Sequence, residues 1–108
     1  MKEETLALKP SEFSGKEEDW PDWAFEVRTF SGAHHPRLLA LMQSAENVAI
    51  DAERLKRTSL NEFDSRLSGQ LFALASTRLK GKVRNKAALA GPGEGFVLWR
   101  ALVDEFES

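Results

Sequence analysis

Along most of this chain the apolar residues return every three or four positions, the period of one face of an α-helix. Trp23, Val27 and Phe30 keep that spacing behind Asp19, Trp20 and Pro21, an N-cap residue followed by a proline where the first helical turn tolerates one. A first helix is therefore predicted from about Trp20, stopped by Gly32 near Ser31. His34-His35-Pro36 opens a second, with Pro36 in its first turn and Leu38, Leu39, Leu41, Met42 and Ala45 as its apolar surface. Ser59-Leu60-Asn61-Glu62 has the form of a capping box, in which serine and glutamate satisfy each other's exposed backbone donors. Behind it Leu60, Phe63, Leu67, Leu71 and Leu74 mark the strongest helical face of the chain, expected to run to about Leu79. Gly69 inside that run reads as a place where another helix crosses closely.

Other stretches are less regular. Between 46 and 58, Val48, Ile50 and Leu55 suggest at most a short helix. Gly81 interrupts the chain, and Val83, Ala87, Ala88 and Leu89 suggest a shorter helix after it. Gly91-Pro92-Gly93-Glu94-Gly95 is a loop, and Phe96, Trp99, Leu102, Val103 and Phe106 define a last helical face. Residues 1–12 lack a period and read as an extended arm, with Leu6 and Leu8 able to dock on the body. No segment sustains the two-residue alternation of a strand. The expected fold is an all-α, single-domain bundle of about five or six helices.

The three tryptophans stand at opposite ends of this pattern: Trp20 and Trp23 near the start, Trp99 near the end. A buried indole covers more apolar area than any other side chain, so these residues are expected to fasten the two ends together as core. Phe13, upstream of the first helix, is expected in a groove between helices.

Composition narrows the picture modestly. A chain of 108 residues with 42% hydrophobic and 30% charged content is ordinary for one soluble domain. No apolar run nears the roughly 18 residues of a membrane span, and Met1-Lys2-Glu3-Glu4-Thr5 lacks the pattern of a secretory signal. Cysteine is absent, which removes disulfides, thiolate metal sites and cysteine nucleophiles. These features favour an intracellular protein with no membrane partner. A net charge of −2 argues against a wholesale nucleic-acid binder, but the charge is segregated. Residues 1–26 carry eight acids against three bases, whereas Arg78, Lys80, Lys82, Arg84 and Lys86 fall in a stretch with no acid. Such polarity reads first as solvated faces, and it also suits association of like subunits through complementary patches.

Candidate chemistry is sparse. His34 and His35 are adjacent, so on a helix they point about 100° apart and do not chelate one metal as an i, i+4 pair does. Glu17, Glu18, Asp19 and Asp22 are acids at a helix N-terminus, where the macrodipole favours them. Gly91, Gly93 and Gly95 lack the Gly-Lys-Ser/Thr ending of a phosphate loop and follow no strand. No Gly-x-Ser-x-Gly elbow accompanies the serines. Catalytic residues, metal ligands and cofactor sites are therefore not assigned. The basic segment from Arg78 to Lys86 is the candidate contact for nucleic acid or a partner, although no aromatic residue interleaves with it to stack bases.

Taken in order, the motifs resemble the Gag polyprotein of LTR retrotransposons, most closely the Copia-type lineage. They are Phe13-Ser14-Gly15, a short polar spacer with Trp20-Pro21-Asp22-Trp23, and a long central helix closing in Leu79-Lys80-Gly81. A small-residue helix, a Gly-rich turn, Trp99-Arg100-Ala101-Leu102 and the trailing Phe106 complete the series, which covers residues 10 to 107. The resemblance implies the N-terminal lobe of a capsid, a structural protein that self-associates into cytoplasmic shells packaging element RNA. It places Phe13, Gly15, Trp20, Trp23, Leu67, Leu71, Trp99, Leu102 and Phe106 in the motifs and the core. It also implies a second lobe and a Cys/His zinc knuckle downstream, with RNA contacted through the full-length protein. The alternative of the same descent is a domesticated Gag-derived module that binds a peptide or protein in an apolar groove. A small nucleic-acid-binding domain using the basic segment is the remaining alternative.

Overall fold

A computed structural model of the protein describes residues 9–107. The expected docking of Leu6 and Leu8 falls outside them. Five α-helices are present among the described residues: α1 (Trp20–His34), α2 (Pro36–Glu46), α3 (Glu62–Ser76), α4 (Asn85–Ala90) and α5 (Gly95–Phe106). Short 3₁₀ turns at Glu17–Asp19, Ala52–Leu55, Arg57–Ser59 and Gly81–Arg84 join them. The architecture is an all-α bundle, as the periodicity predicts.

The last helix is the central one. α5 packs against α2, α3 and α4, while α1 lies mainly along α2. Gly95, Phe96, Leu98, Trp99, Leu102 and Val103 are all buried, so α5 is covered around most of its circumference. One apolar cluster runs through the bundle, from Phe13, Trp20 and Trp23 through Met42, Leu67 and Leu71 to Phe96, Trp99 and Leu102. Phe106 is partly buried against it.

Several boundaries differ from the sequence expectation, each for a local reason. α1 does not stop at Gly32 but continues to His34. A Cβ at Gly32 would come within 3.0 Å of Leu39 Cδ2, so this glycine lets α2 approach rather than ending α1. The helix ends instead at His35, which is extended at φ −161° and ψ 127°. The ring of Pro36 disfavours helical backbone at the residue before it. The α3 cap is Asn61, whose side chain accepts a hydrogen bond from Asp64 N at 2.7 Å, and not Ser59. Ser59 sits in a 3₁₀ turn and donates to the carbonyl of Glu53.

α3 also ends earlier than expected, at Ser76, and its buried stripe is Asp64, Leu67, Ser68, Leu71 and Ala75. Phe63 is 44% exposed and packs edge-on against the His35 ring. Leu79 leaves the helix and forms an isolated parallel bridge with Phe13. Residues 46–58 hold two 3₁₀ turns in place of a short helix.

The close helix crossing expected at Gly69 lies elsewhere. Gly69 faces the guanidinium of Arg57, with Nη2 3.6 Å from the place a Cβ would take. The tight approach is at Gly95, where a Cβ would overlap the Ser68 carbonyl oxygen and lie 2.9 Å from Leu71 Cβ. Ser68 Oγ accepts from Gly95 N and donates to Gly93 O, both at 2.9 Å, which fastens the start of α5 to the middle of α3.

Candidate functional site

The motif residues at the two ends of the sequence meet in one aromatic junction. The Phe13 ring stacks on Trp23 at 5.2 Å and meets Trp20 and Phe106 edge-on at 5.6 and 5.1 Å. Trp20 in turn stacks on Phe106 at 5.3 Å and lies 5.6 Å from Trp99. Phe13, Trp20, Trp23 and Trp99 are all buried. Phe13 is thus a member of the core, wedged between α1 and α5.

A buried indole brings a polar N–H that must find an acceptor. Each of the three does. Trp23 Nε1 donates to the Ser11 carbonyl at 2.7 Å, Trp20 Nε1 to Glu107 at 2.9 Å, and Trp99 Nε1 to Glu46 at 2.8 Å. Arg28 ties the two carboxylates together, donating to Glu46 at 3.0 Å and to Glu107 at 2.7 Å. Its guanidinium carbon lies 5.4 Å from the centre of the Trp99 ring, within cation–π range. Burial opposes the Arg28 charge, and the bonds and charges of Glu46 and Glu107 outweigh it, so its pKa stands above the ordinary value.

Phe-x-Gly has a geometric reason. Phe13 N donates to Arg78 O at 2.8 Å, and Lys80 N donates to Phe13 O at 3.0 Å, so the segment is pinned in a short parallel pairing. Two residues later Gly15 has φ +92°, a left-handed conformation that turns the chain toward α1. Leu79-Lys80-Gly81 supplies the other side, with Leu79 buried and Gly81 at φ +66°.

The basic segment is largely absorbed by this junction. Arg78 donates to Pro10 O at 2.8 Å and to Leu74 O at 2.9 Å, closing the α3 terminus over the incoming segment. Lys80 pairs with Glu12 at 3.2 Å, and Lys86 with Glu105 at 2.6 Å. Lys82 and Arg84 are exposed and make no ion pair among the described residues. The structure therefore does not bring the five cations into one uncommitted patch.

Other candidates are likewise engaged locally. His34 Nε2 lies 2.9 Å from Gln70 Oε1, and His35 Nδ1 accepts from Arg37 N at 3.0 Å as a helix cap. Among the described residues no group of three metal-capable side chains forms a site. Asp19 accepts from Ser14 Oγ at 3.3 Å, while Glu17, Glu18 and Asp22 stay exposed. The Gly-rich turn is held from below, by Ser68 on Gly93 and by Arg57 N donating to Glu94 at 3.0 Å.

Two grooves of about 460 Å³ remain open on the surface. One lies along α1 and α3, with Phe30, Leu71 and Leu74, Leu38 of α2, and the polar His34 and Arg78 among its lining residues. The other is lined by Lys16, Lys82, Val83, Leu89 and Phe106.

Periodicity alone did not reveal Arg28, Glu46, Glu107, Arg57 or Arg100. Arg100 donates to the carbonyls of Ala45, Asn47 and Ile50, collecting acceptors in the last turn of α2 and just beyond it. These residues pair across large sequence separations, and no spacing rule marks them. Searched against known proteins, the chain matches no family model, no curated protein and no solved structure.

Proposed function

We propose that the protein is a Gag-like capsid lobe, a structural unit that associates with copies of itself into intracellular shells packaging element RNA. The observation that carries the reading is the convergence of its motifs. Phe13-x-Gly15, Trp20-x-x-Trp23, Leu79-x-Gly81 and Trp99-x-x-Leu102 with Phe106, dispersed over the sequence, come together at one junction around Phe13. An ordered motif series whose members support one another in space has a structural reason to occur together. The engagement of the histidines and of most basic residues in local bonds accords with a scaffold role rather than catalysis.

RNA contact belongs, on this reading, to the longer protein. Within the lobe Arg78 is engaged by the Pro10 and Leu74 carbonyls and Lys80 and Lys86 by acids, which leaves Lys82 and Arg84 as the uncommitted cations of the basic segment among the described residues, too few for strong counterion release.

One observation favours the domesticated binding module as a second reading. The groove along α1 and α3 is apolar over most of its wall and open enough for a side chain or two of a peptide. A single experiment separates the two. The parent reading frame is expressed with its downstream region and viewed by negative-stain electron microscopy at several salt concentrations. Particles are expected. Monomers under every condition, with a peptide-library hit that is lost in Leu74→Asp, would transfer the function to the binding module.

A further inference from the structure

Two surface features match in size and in charge. The first is a knob. Phe25 is 69% exposed in the middle of α1, an unusual place for a large aromatic ring. Asp22 and Phe25 stand three positions apart on one side of α1, Glu18 lies in the 3₁₀ turn that leads into the helix, and all three are exposed. None of these acids has an ion-pair partner among the described residues.

The second is the groove beside α4. Its apolar surface is Val83, Leu89 and Phe106, and its rim carries Lys16, Lys82 and Lys86. Lys86 is occupied by Glu105, leaving Lys16 and Lys82 without an ion pair among the described residues. Leu89 is 85% exposed although it belongs to this groove, so an apolar side chain faces open space there. At about 460 Å³ the groove has room for a phenylalanine side chain.

We propose that Phe25 of one copy seats in the Val83–Leu89–Phe106 groove of a second copy, with Glu18 and Asp22 against Lys16 and Lys82. The proposal deepens the self-association reading and rests on it for the identity of the partner. An apolar centre ringed by complementary charge is the general anatomy of a specific protein contact. Charge complementarity selects a second copy over a nucleic acid, because the knob is acidic and would repel phosphates. The contact is small, so it is weak alone and strengthens as ionic strength falls.

The test is sedimentation velocity of the full chain over a concentration series at low and high salt. The weight-average mass is expected to rise with concentration, more steeply at low salt. Phe25→Ala, an exposed position that leaves the fold intact by circular dichroism, is expected to weaken association about tenfold or more. The double variants Lys16→Glu/Lys82→Glu and Glu18→Lys/Asp22→Lys are each expected to be monomeric. Mixed in equal amounts they are expected to associate again, since each reversed surface then faces its complement.

Association that survives either reversal, a mixture that stays monomeric, or a wild-type chain that never exceeds the monomer mass overturns the contact. Failure of the capsid reading looks different. If the longer protein forms particles that Lys16→Glu/Lys82→Glu leaves unchanged, this contact is wrong and the capsid reading stands. If reversal and rescue hold in the lobe while the longer protein never forms particles, the contact stands without the shell.

Discussion

A single backbone atom decides how close α3 and α5 can come. Gly95 sits where any side chain would overlap the Ser68 carbonyl oxygen, and Ser68 Oγ needs that proximity to bond Gly95 N. Gly95→Ala is therefore expected to destabilise the protein by about 1–3 kcal/mol, the usual range for overpacking a filled interior. A urea titration followed by circular dichroism would measure it, and an unchanged midpoint would contradict the crossing geometry. The three indole N–H groups make the same point in polar terms. Each tryptophan was legible as core from its spacing, because apolar burial follows period. Their acceptors, Ser11 O, Glu107 and Glu46, were not, because a hydrogen-bond partner 87 positions away leaves no trace in local pattern.

At the scale of elements, the faces of α1 and α5 were readable from Trp23, Val27, Trp99 and Leu102, whose partners are equally apolar. α3 was harder, because its buried stripe begins with Asp64 and includes Ser68, two polar residues that a hydrophobic pattern counts as outside. Asp64 is only 5% exposed and is held by Arg37 through two bonds, of 3.1 and 2.7 Å, that join α2 to α3. The hydrogen bonds from Arg37 lower the Asp64 pKa, burial works the other way, and the Arg37 charge adds to the lowering. A carboxyl whose pKa is depressed by folding contributes stability above its unfolded pKa and loses it as pH falls through the folded value. The contribution is thus complete at neutral pH, begins to fall near the ordinary aspartate value of about pH 4, and is gone only below the depressed folded value. The gap in urea midpoint between wild type and Asp64→Asn is expected to be large at pH 7 and to shrink toward pH 2. A gap of constant size would mean that the Asp64 charge plays no part.

The whole molecule is closed at both ends by the same residues. Trp20 at the start of α1 bonds Glu107 beyond the end of α5, and Arg28 joins that carboxylate to Glu46 at the end of α2. With one apolar cluster passing through every long helix, unfolding is expected to be a single transition. Tryptophan fluorescence, which reports the junction, and circular dichroism, which reports the helices, should then give superimposable urea curves; separated midpoints would show the junction opening on its own. The segment around Phe13 adds a property of time. Arg78 reaches Pro10 across 68 positions, so closing that clasp carries the entropy of a long loop unless α1, α2 and α3 have already shortened it. Helices form locally and early, whereas a contact of such high sequence separation belongs late on the folding route. A chain emerging from the ribosome would thus hold its first aromatic residue unclasped until most of the bundle has been synthesised.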